Sequence, residues 1–148
     1  MEIKLPPDFQ DFLRFLHTER VEYLLIGGYA VAYHGYQRTT QDLDIWIAIH
    51  PDNAERMVAA LKEFGFNVPE LSTSLFLRDK SIVRFGEVPL RIDISTAISG
   101  VDFAECYAKR IIEKIDDFNV HFINLHDLKV NKKASARAKD LVDLKNLP

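Results

Sequence analysis

Apolar residues fall along this chain in two rhythms: short continuous runs, and stripes at helical spacing. Phe9, Phe12, Leu13, Phe15 and Leu16 follow Pro6-Pro7-Asp8 at intervals that predict a helix of about three turns. Tyr23-Leu24-Leu25-Ile26 and Ile45-Trp46-Ile47-Ala48-Ile49 are short, apolar and β-prone, and predict buried strands over 22–26 and 42–49. Between them, 28–36 reads as a short helix ending near Gly35, and 37–41 as a polar connection. Pro51-Asp52-Asn53 opens a longer helix whose stripe is Ala54, Met57, Val58, Leu61 and Phe64, with Gly65 as its stop.

Further along, 75–77, 82–85 and 90–94 read as strands, separated by Arg78-Asp79-Lys80 and Gly86-Glu87-Val88-Pro89, the latter two strands forming a hairpin. A helix over 102–108, strands over 110–115 and 120–123, and a helical stretch over 125–147 complete the pattern, with a break around Ala134-Ser135-Ala136. No repeat, linker or low-complexity stretch interrupts it, so a single domain over 1–148 is expected. The order predicts an α/β (α+β) architecture: a β-sheet of mixed strand direction flanked by helices, with C-terminal helices.

Composition narrows the class. With 148 residues, 47% of them hydrophobic and 28% charged, the chain can bury a sizeable core and is neither disordered nor fibrous. A net charge of −3 argues neither for nor against nucleic acid, so an anionic substrate would need local positive charge or metal. Cys106 is the one cysteine, which excludes an intrachain disulfide and suits a reducing compartment; in its predicted helix it reads as a small buried thiol. The lack of an early apolar segment and of any run of eighteen apolar residues predicts neither signal peptide nor membrane span, so the cytoplasm is expected.

The candidate chemistry lies in the acids. Side chains two apart on a strand share a face, so Asp42 and Asp44 point the same way while Leu43 turns into the core. Carboxylates this close repel unless a cation lies between them, and hard oxygen ligands suit Mg²⁺. Asp93, in Arg91-Ile92-Asp93-Ile94-Ser95, alternates with apolar neighbours and falls on the open face of its strand. An acid central in such a run is disfavoured by propensity. If its strand pairs beside that of Asp42 and Asp44, three carboxylates converge, and two Mg²⁺ ions roughly 3.5–4 Å apart would bridge them in a phosphoryl-transfer site. The competing reading is solvent-facing acids at sheet edges. Gly27-Gly28, at a strand-to-helix bend, would let a phosphate approach the backbone, although such a bend asks for glycine anyway.

Taken together, Ile26-Gly27-Gly28-Tyr29-Ala30, His34-Gly35, Arg38, Thr40, Asp42-Leu43-Asp44 and Asp93 resemble the polymerase-beta-like nucleotidyltransferase superfamily. Within it they resemble the minimal nucleotidyltransferases that include toxins of type IV abortive-infection toxin–antitoxin systems. Phe122-Ile123-Asn124-Leu125, Leu128, Lys132, Arg137, Lys139-Asp140-Leu141 and Asp143 extend the resemblance to the C-terminal segment. It implies a nucleotidyltransferase-type sheet, a nucleotide triphosphate as donor, Mg²⁺ as cofactor, and transfer of a nucleoside monophosphate with release of pyrophosphate. The acceptor would be an RNA such as a tRNA, a protein or a small molecule, with an antitoxin protein as a possible partner and no membrane involved. By position, Gly27 and Gly28 would border the triphosphate, Asp42, Asp44 and Asp93 would be the catalytic metal triad, and Lys132 would reach a nucleotide phosphate. Many members carry a serine directly after the first glycine; this chain has Gly28.

Other polar residues have less specific readings. Arg38 would clamp phosphate with its planar fork and Thr40 would orient Asp42, against a surface arginine and a turn hydroxyl. His34 reads as structural, and Trp46 as a packed aromatic more than a base-stacking one. Lys129, Lys132, Lys133, Arg137 and Lys139 form a basic cluster that is either a solvated face or a counter-charge to the acids. Asp140 and Asp143 read as local structural partners of Arg137 or Lys139, a pairing worth only tenths of a kcal/mol if exposed. Two rival functions follow: an inactive nucleotidyltransferase fold that binds a nucleotide or partner, and a metal-dependent phosphoester hydrolase.

Overall fold

The structure, a computed structural model, describes residues 4–87 and 89–148. In chain order it runs α1 (Pro7–Thr18), β1 (Tyr23–Ile26), α2 (Gly27–Tyr33), β2 (Asp42–Ile47), α3 (Pro51–Phe64), a 3₁₀ turn (Thr73–Phe76), β3 (Ile82–Phe85), β4 (Arg91–Ser95), α4 (Phe103–Ala108), β5 (Ile111–Ile115), β6 (Phe118–Phe122), α5 (Leu125–Ser135) and α6 (Ala138–Asn146). The strands form one sheet in the order β3-β4-β2-β1-β6-β5. β1 is antiparallel to β2 and parallel to β6; β2 is parallel to β4; β3–β4 and β5–β6 are antiparallel hairpins. The expected mixed sheet with flanking helices is what forms.

Burial explains which strands sit in the middle. All four residues of β1 are buried, so it shows no alternation and needs cover on both faces. In β2, Leu43 is fully buried while Asp42 and Asp44 are only partly so, and from Ile45 onward every residue is buried. The helix α1 buries Phe9, Phe12, Leu13 and Leu16, with Phe12 edge-on to Phe64 of α3 at 5.2 Å and Phe9 edge-on to Tyr29 of α2 at 5.9 Å. Trp46, on the same strand face as Asp44, lies edge-on to Phe103 of α4 at 5.1 Å and is buried, as the packed reading expected. Cys106 is buried in α4. Among the described residues, no helix is long and apolar enough to cross a membrane.

Several boundaries differ from the sequence reading. The 75–77 run is not a strand: it ends the 3₁₀ turn, where Phe76 is buried and neighbours Phe85 at 6.3 Å. A three-residue apolar run looks alike in either conformation. The helix α2 starts at Gly27 and stops at Tyr33, and β2 stops at Ile47, with Ile49 beyond it facing solvent. The C-terminal helical stretch breaks at Ala136, whose φ of 51° ends α5. Gly65 terminates α3 with φ 113° and accepts the stop assigned to it. Val88, in the predicted 86–89 turn, lies outside the described residues.

One buried side chain ties α3 to the sheet. Asn53 is fully buried, accepts from the Glu22 backbone N–H at 2.7 Å, and donates to the carbonyls of Glu22 at 3.1 Å and Ala48 at 2.9 Å. It thereby satisfies backbone groups at the start of β1 and just past β2. Asn53→Ala would strand the Glu22 N–H and the Ala48 carbonyl, while the Glu22 carbonyl keeps the Ala48 N–H, and is expected to lower unfolding free energy by about 2–3 kcal/mol. Equilibrium urea denaturation measures this, with exposed Glu55→Ala as the control that leaves the midpoint unchanged.

Candidate active site

Strand register brings the acids together. On β2, Asp44 faces Asp93 of β4 across a parallel pairing and Ile26 of β1 across an antiparallel one. Asp42 faces Arg91 in the same ladder. Arg84 of β3 faces Asp93. Because partners in register point to the same side, Arg84, Asp93 and Asp44 form one row across the sheet. Arg91 and Asp42 form the next. Asp42, Asp44 and Asp93 thus share one face, as the convergence argument requires.

Two arginines that the sequence reading did not single out neutralise the outer acids. Arg84 donates to Asp93 from Nε at 2.8 Å and from Nη2 at 3.1 Å. Arg91 donates to Asp42 from Nε at 3.0 Å and from Nη2 at 2.6 Å. Asp44 has no hydrogen-bond or ion-pair partner among the described residues. Burial, reinforced by the negative charges of Asp93 and Asp42, pushes its carboxyl up to about 6, against the weaker pull of Lys139 and Lys132.

The glycine bend closes over Asp44. Gly27 has φ 68°, and a Cβ there would overlap the Asp44 carboxylate. A Cβ on Gly28 would overlap the side chain of Thr40 and stand 3.2 Å from an Arg38 nitrogen. The absent side chain at position 28 is therefore matched by Thr40, whose hydroxyl fills that space from the loop before β2. Arg38 and Thr40 both line the cleft with the glycines and the acids.

The opposite wall comes from α5 and α6. Lys132 is buried, with Nζ 3.3 Å from Asp140 and 3.1 Å from Asp143. Arg38 makes a two-point contact with Asp143 at 2.7 and 2.9 Å. Arg137 and Ser135 both donate to Asp140 at 2.8 Å. The expected local pairing of Asp140 with Arg137 forms, whereas Asp143 pairs with Arg38 and Lys132, and both acids are buried. Burial alone would raise their pKa values. The hydrogen bonds from Arg137 and Ser135, with the Lys132 charge, instead hold Asp140 well below the usual range, and those from Arg38 and Lys132 hold Asp143 low. Three cations on two anions leave this network with positive charge facing the acids.

The basic cluster divides accordingly. Lys132, Arg137 and Lys139 line the cleft, whereas Lys129 and Lys133 border a separate depression beside Leu144. His34 is structural, its Nε2 2.7 Å from the Ile123 carbonyl and its pKa lowered by burial. The cleft itself encloses about 680 Å³. A second cavity of about 590 Å³, bounded by Trp46, Phe103 and Tyr107, is mainly apolar, carries the His50–Glu22 pair on its rim and shares Ala97 with the cleft; the three clustered aspartates lie in the first.

The donor set suits a hard divalent cation: three carboxylates, all oxygen, one of them desolvated and uncompensated. As they stand, no three acidic, histidine or cysteine side chains among the described residues are arranged to hold a metal ion. The guanidinium groups of Arg84 and Arg91 occupy the outer carboxylates in its stead. Asp42, Asp44 and Asp93 are the residues that would hold such an ion.

The chain belongs to the family described as nucleotidyltransferases of unknown function (DUF6036), whose family model matches residues 8–147. Its structure is similar to the crystal structure of a Thermotoga maritima protein described as a candidate nucleotidyltransferase, with a TM-score of 0.61 and 14% identity over 96% of this chain and 93% of that one. It also matches the Helicobacter pylori protein JHP933, with a TM-score of 0.47 and 16% identity, over 93% of this chain and 61% of that one. Comparison with curated protein sequences gives no match. The nucleotidyltransferase family and fold anticipated from the glycines and acids are those found.

The raised Asp44 pKa sets a pH signature. In the metal-free chain the folded state prefers the protonated acid, so this contribution to stability is full below the ordinary value of 3.8 and is lost as pH rises through about 6. A divalent ion needs the ionised form. Millimolar Mg²⁺ is therefore expected to raise the melting temperature clearly at about pH 7.5 and little at about pH 5. Thermal shift measures the difference, and Asp44→Asn should abolish it.

Proposed function

We propose that this chain is a Mg²⁺-dependent nucleotidyltransferase that moves a nucleoside monophosphate from a nucleotide triphosphate to an acceptor, releasing pyrophosphate. The observation that carries this reading is the shared face of Asp42, Asp44 and Asp93 beneath the Gly27–Gly28 bend, opposed across one cleft by Lys132, Arg137 and Lys139. A triphosphate fits between the two walls: its metal-facing side toward the acids, its remaining charge toward the cations. When bound at the three aspartates, Mg²⁺ supplies charge neutralisation and activation of the attacking oxygen.

The chain's own groups do the positioning. Gly27 lets the backbone lie directly against the Asp44 carboxylate, and Thr40 offers a hydroxyl in the space vacated at position 28, both on the lining of the cleft. Arg38 and Lys132 are held by Asp143, so their positive ends are fixed at the cleft wall before ligand arrives. Fixed charges of this kind cost little reorganisation as negative charge moves onto the leaving group. Asp93 accepts the acceptor's proton in this scheme, or passes it to solvent.

One observation favours a second reading. Two of the three acids already carry arginine partners, which suits a fold kept for binding a nucleotide or partner protein, as in a toxin–antitoxin component. The deciding experiment offers each α-³²P-labelled nucleotide triphosphate with Mg²⁺, total RNA and lysate protein. Label transfer with stoichiometric pyrophosphate is expected, falling by at least about 10³-fold in Asp44→Asn and Asp93→Asn with the fold intact by circular dichroism. Wild-type rates in these variants, or nucleotide binding without pyrophosphate release, would exclude the enzyme.

A further inference from the structure

Arg84 and Arg91 have no task in nucleotidyl transfer as described so far, yet each makes a two-point bridge to a carboxylate of the triad. The bridges follow from register, since each arginine faces its aspartate directly across a strand pair. The sheet order places both arginines, on β3 and β4, on the side of Asp44 away from β1 and the glycine bend. Their side chains are 55% and 29% exposed, so the guanidinium groups stand at the open edge of the cleft and not in the core. The oxygens they hold are those a divalent ion needs. Cation and guanidinium therefore compete for the same lone pairs.

Resting on the nucleotidyl-transfer reading, we propose that Arg84 and Arg91 are exchangeable counter-ions. In the metal-free chain they neutralise Asp93 and Asp42. When a divalent ion takes these carboxylates, the released guanidinium groups hold a phosphate of the acceptor, on the flank opposite the triphosphate. The planar fork that fits a carboxylate at two points fits a phosphate equally well, which a lysine would not. The acceptor is accordingly a phosphate ester, either a mononucleotide or a nucleic-acid strand. Both present the same oxyanion next to an attacking hydroxyl.

The test uses the full chain with Mn²⁺ as the metal probe, read by electron paramagnetic resonance without nucleotide. Arg84→Ala and Arg91→Ala are expected to bind Mn²⁺ severalfold more tightly than wild type, because a competitor is gone. With Mg²⁺ saturating, the same variants should bind a labelled oligoribonucleotide more weakly, with a salt slope reduced by about one per arginine. Arg84→Lys and Arg91→Lys should not restore that binding fully. Adenosine monophosphate as competitor separates the sources: equal loss for both ligands assigns the single phosphate, loss for the oligonucleotide alone assigns the strand.

A measurement on unaltered protein guards against misfolded variants. The arginine Nε–Hε signals of wild type should move on Mg²⁺ titration as the two bridges open, and signals unchanged at saturation overturn the proposal. So does Mn²⁺ affinity that is unchanged or weaker in the alanine variants, or label transfer to a protein acceptor that ignores both substitutions. Wild type that binds no Mn²⁺ and releases no pyrophosphate sinks this inference together with the function it rests on. Wild type that does both, with indifferent variants, sinks only the arginine exchange.

Discussion

Three carboxylates on neighbouring strands of one sheet face repel each other, and the cleft is organised around containing that repulsion. Two unit charges at the roughly 5 Å spacing of cross-strand neighbours repel by about 3 kcal/mol at an intermediate dielectric. Against a typical net stability of only about 5–15 kcal/mol, such a cluster cannot stand uncompensated. The fold answers from two sides. Arginines on β3 and β4 hold the outer acids directly, and the positive wall of α5 and α6 faces the central one from across the gap. Burial, with the repulsion that remains from Asp93 and Asp42, raises the Asp44 carboxyl above its ordinary range.

The far wall obeys a different rule. Lys132, Asp140 and Asp143 are buried, where separating any one from its partners would strand a charge at a cost of several kcal/mol. Their geometry is consequently stiff. Arg38 joins this network through Asp143, so the loop before β2 is tied to α6 by the same group that holds Lys132. The near wall can change partners; the far wall cannot. A cleft with one exchangeable side and one rigid side suits a reaction in which charge must be received, rearranged and released.

How much of this was readable in the sequence depended on the distance over which each feature is encoded. Asp42, Leu43 and Asp44 were legible because strand alternation is local: two residues of spacing decide which side each faces. Asp93 was legible as an acid between Ile92 and Ile94, although its place beside Asp44 awaited the β2–β4 pairing. Arg91 carried a signal that went unused, since the same alternation puts it on the face of Asp93. Arg84 carried none, because a strand arginine at a sheet edge looks solvated until register is known. Asp143 was obscure for a related reason. Helical spacing suggests near neighbours, which holds for Asp140 with Arg137, whereas Asp143 meets Arg38 from far earlier in the chain. The 75–77 segment failed because three apolar residues contain too little periodicity to tell a strand from a 3₁₀ turn.

The placement of β1 bears on how the molecule is assembled. Leu25 sits in the middle of the sheet, yet its parallel neighbour is Phe122, contributed by a segment made much later. The two hairpins, β3–β4 and β5–β6, close short loops and can form within microseconds, whereas joining them through β1 requires the ends of a long loop to meet. Until that happens the first strand presents a bare, wholly apolar edge. The docking of β6 is therefore the longest-range strand closure in the sheet, and it brings in the α5–α6 wall that follows it in the chain.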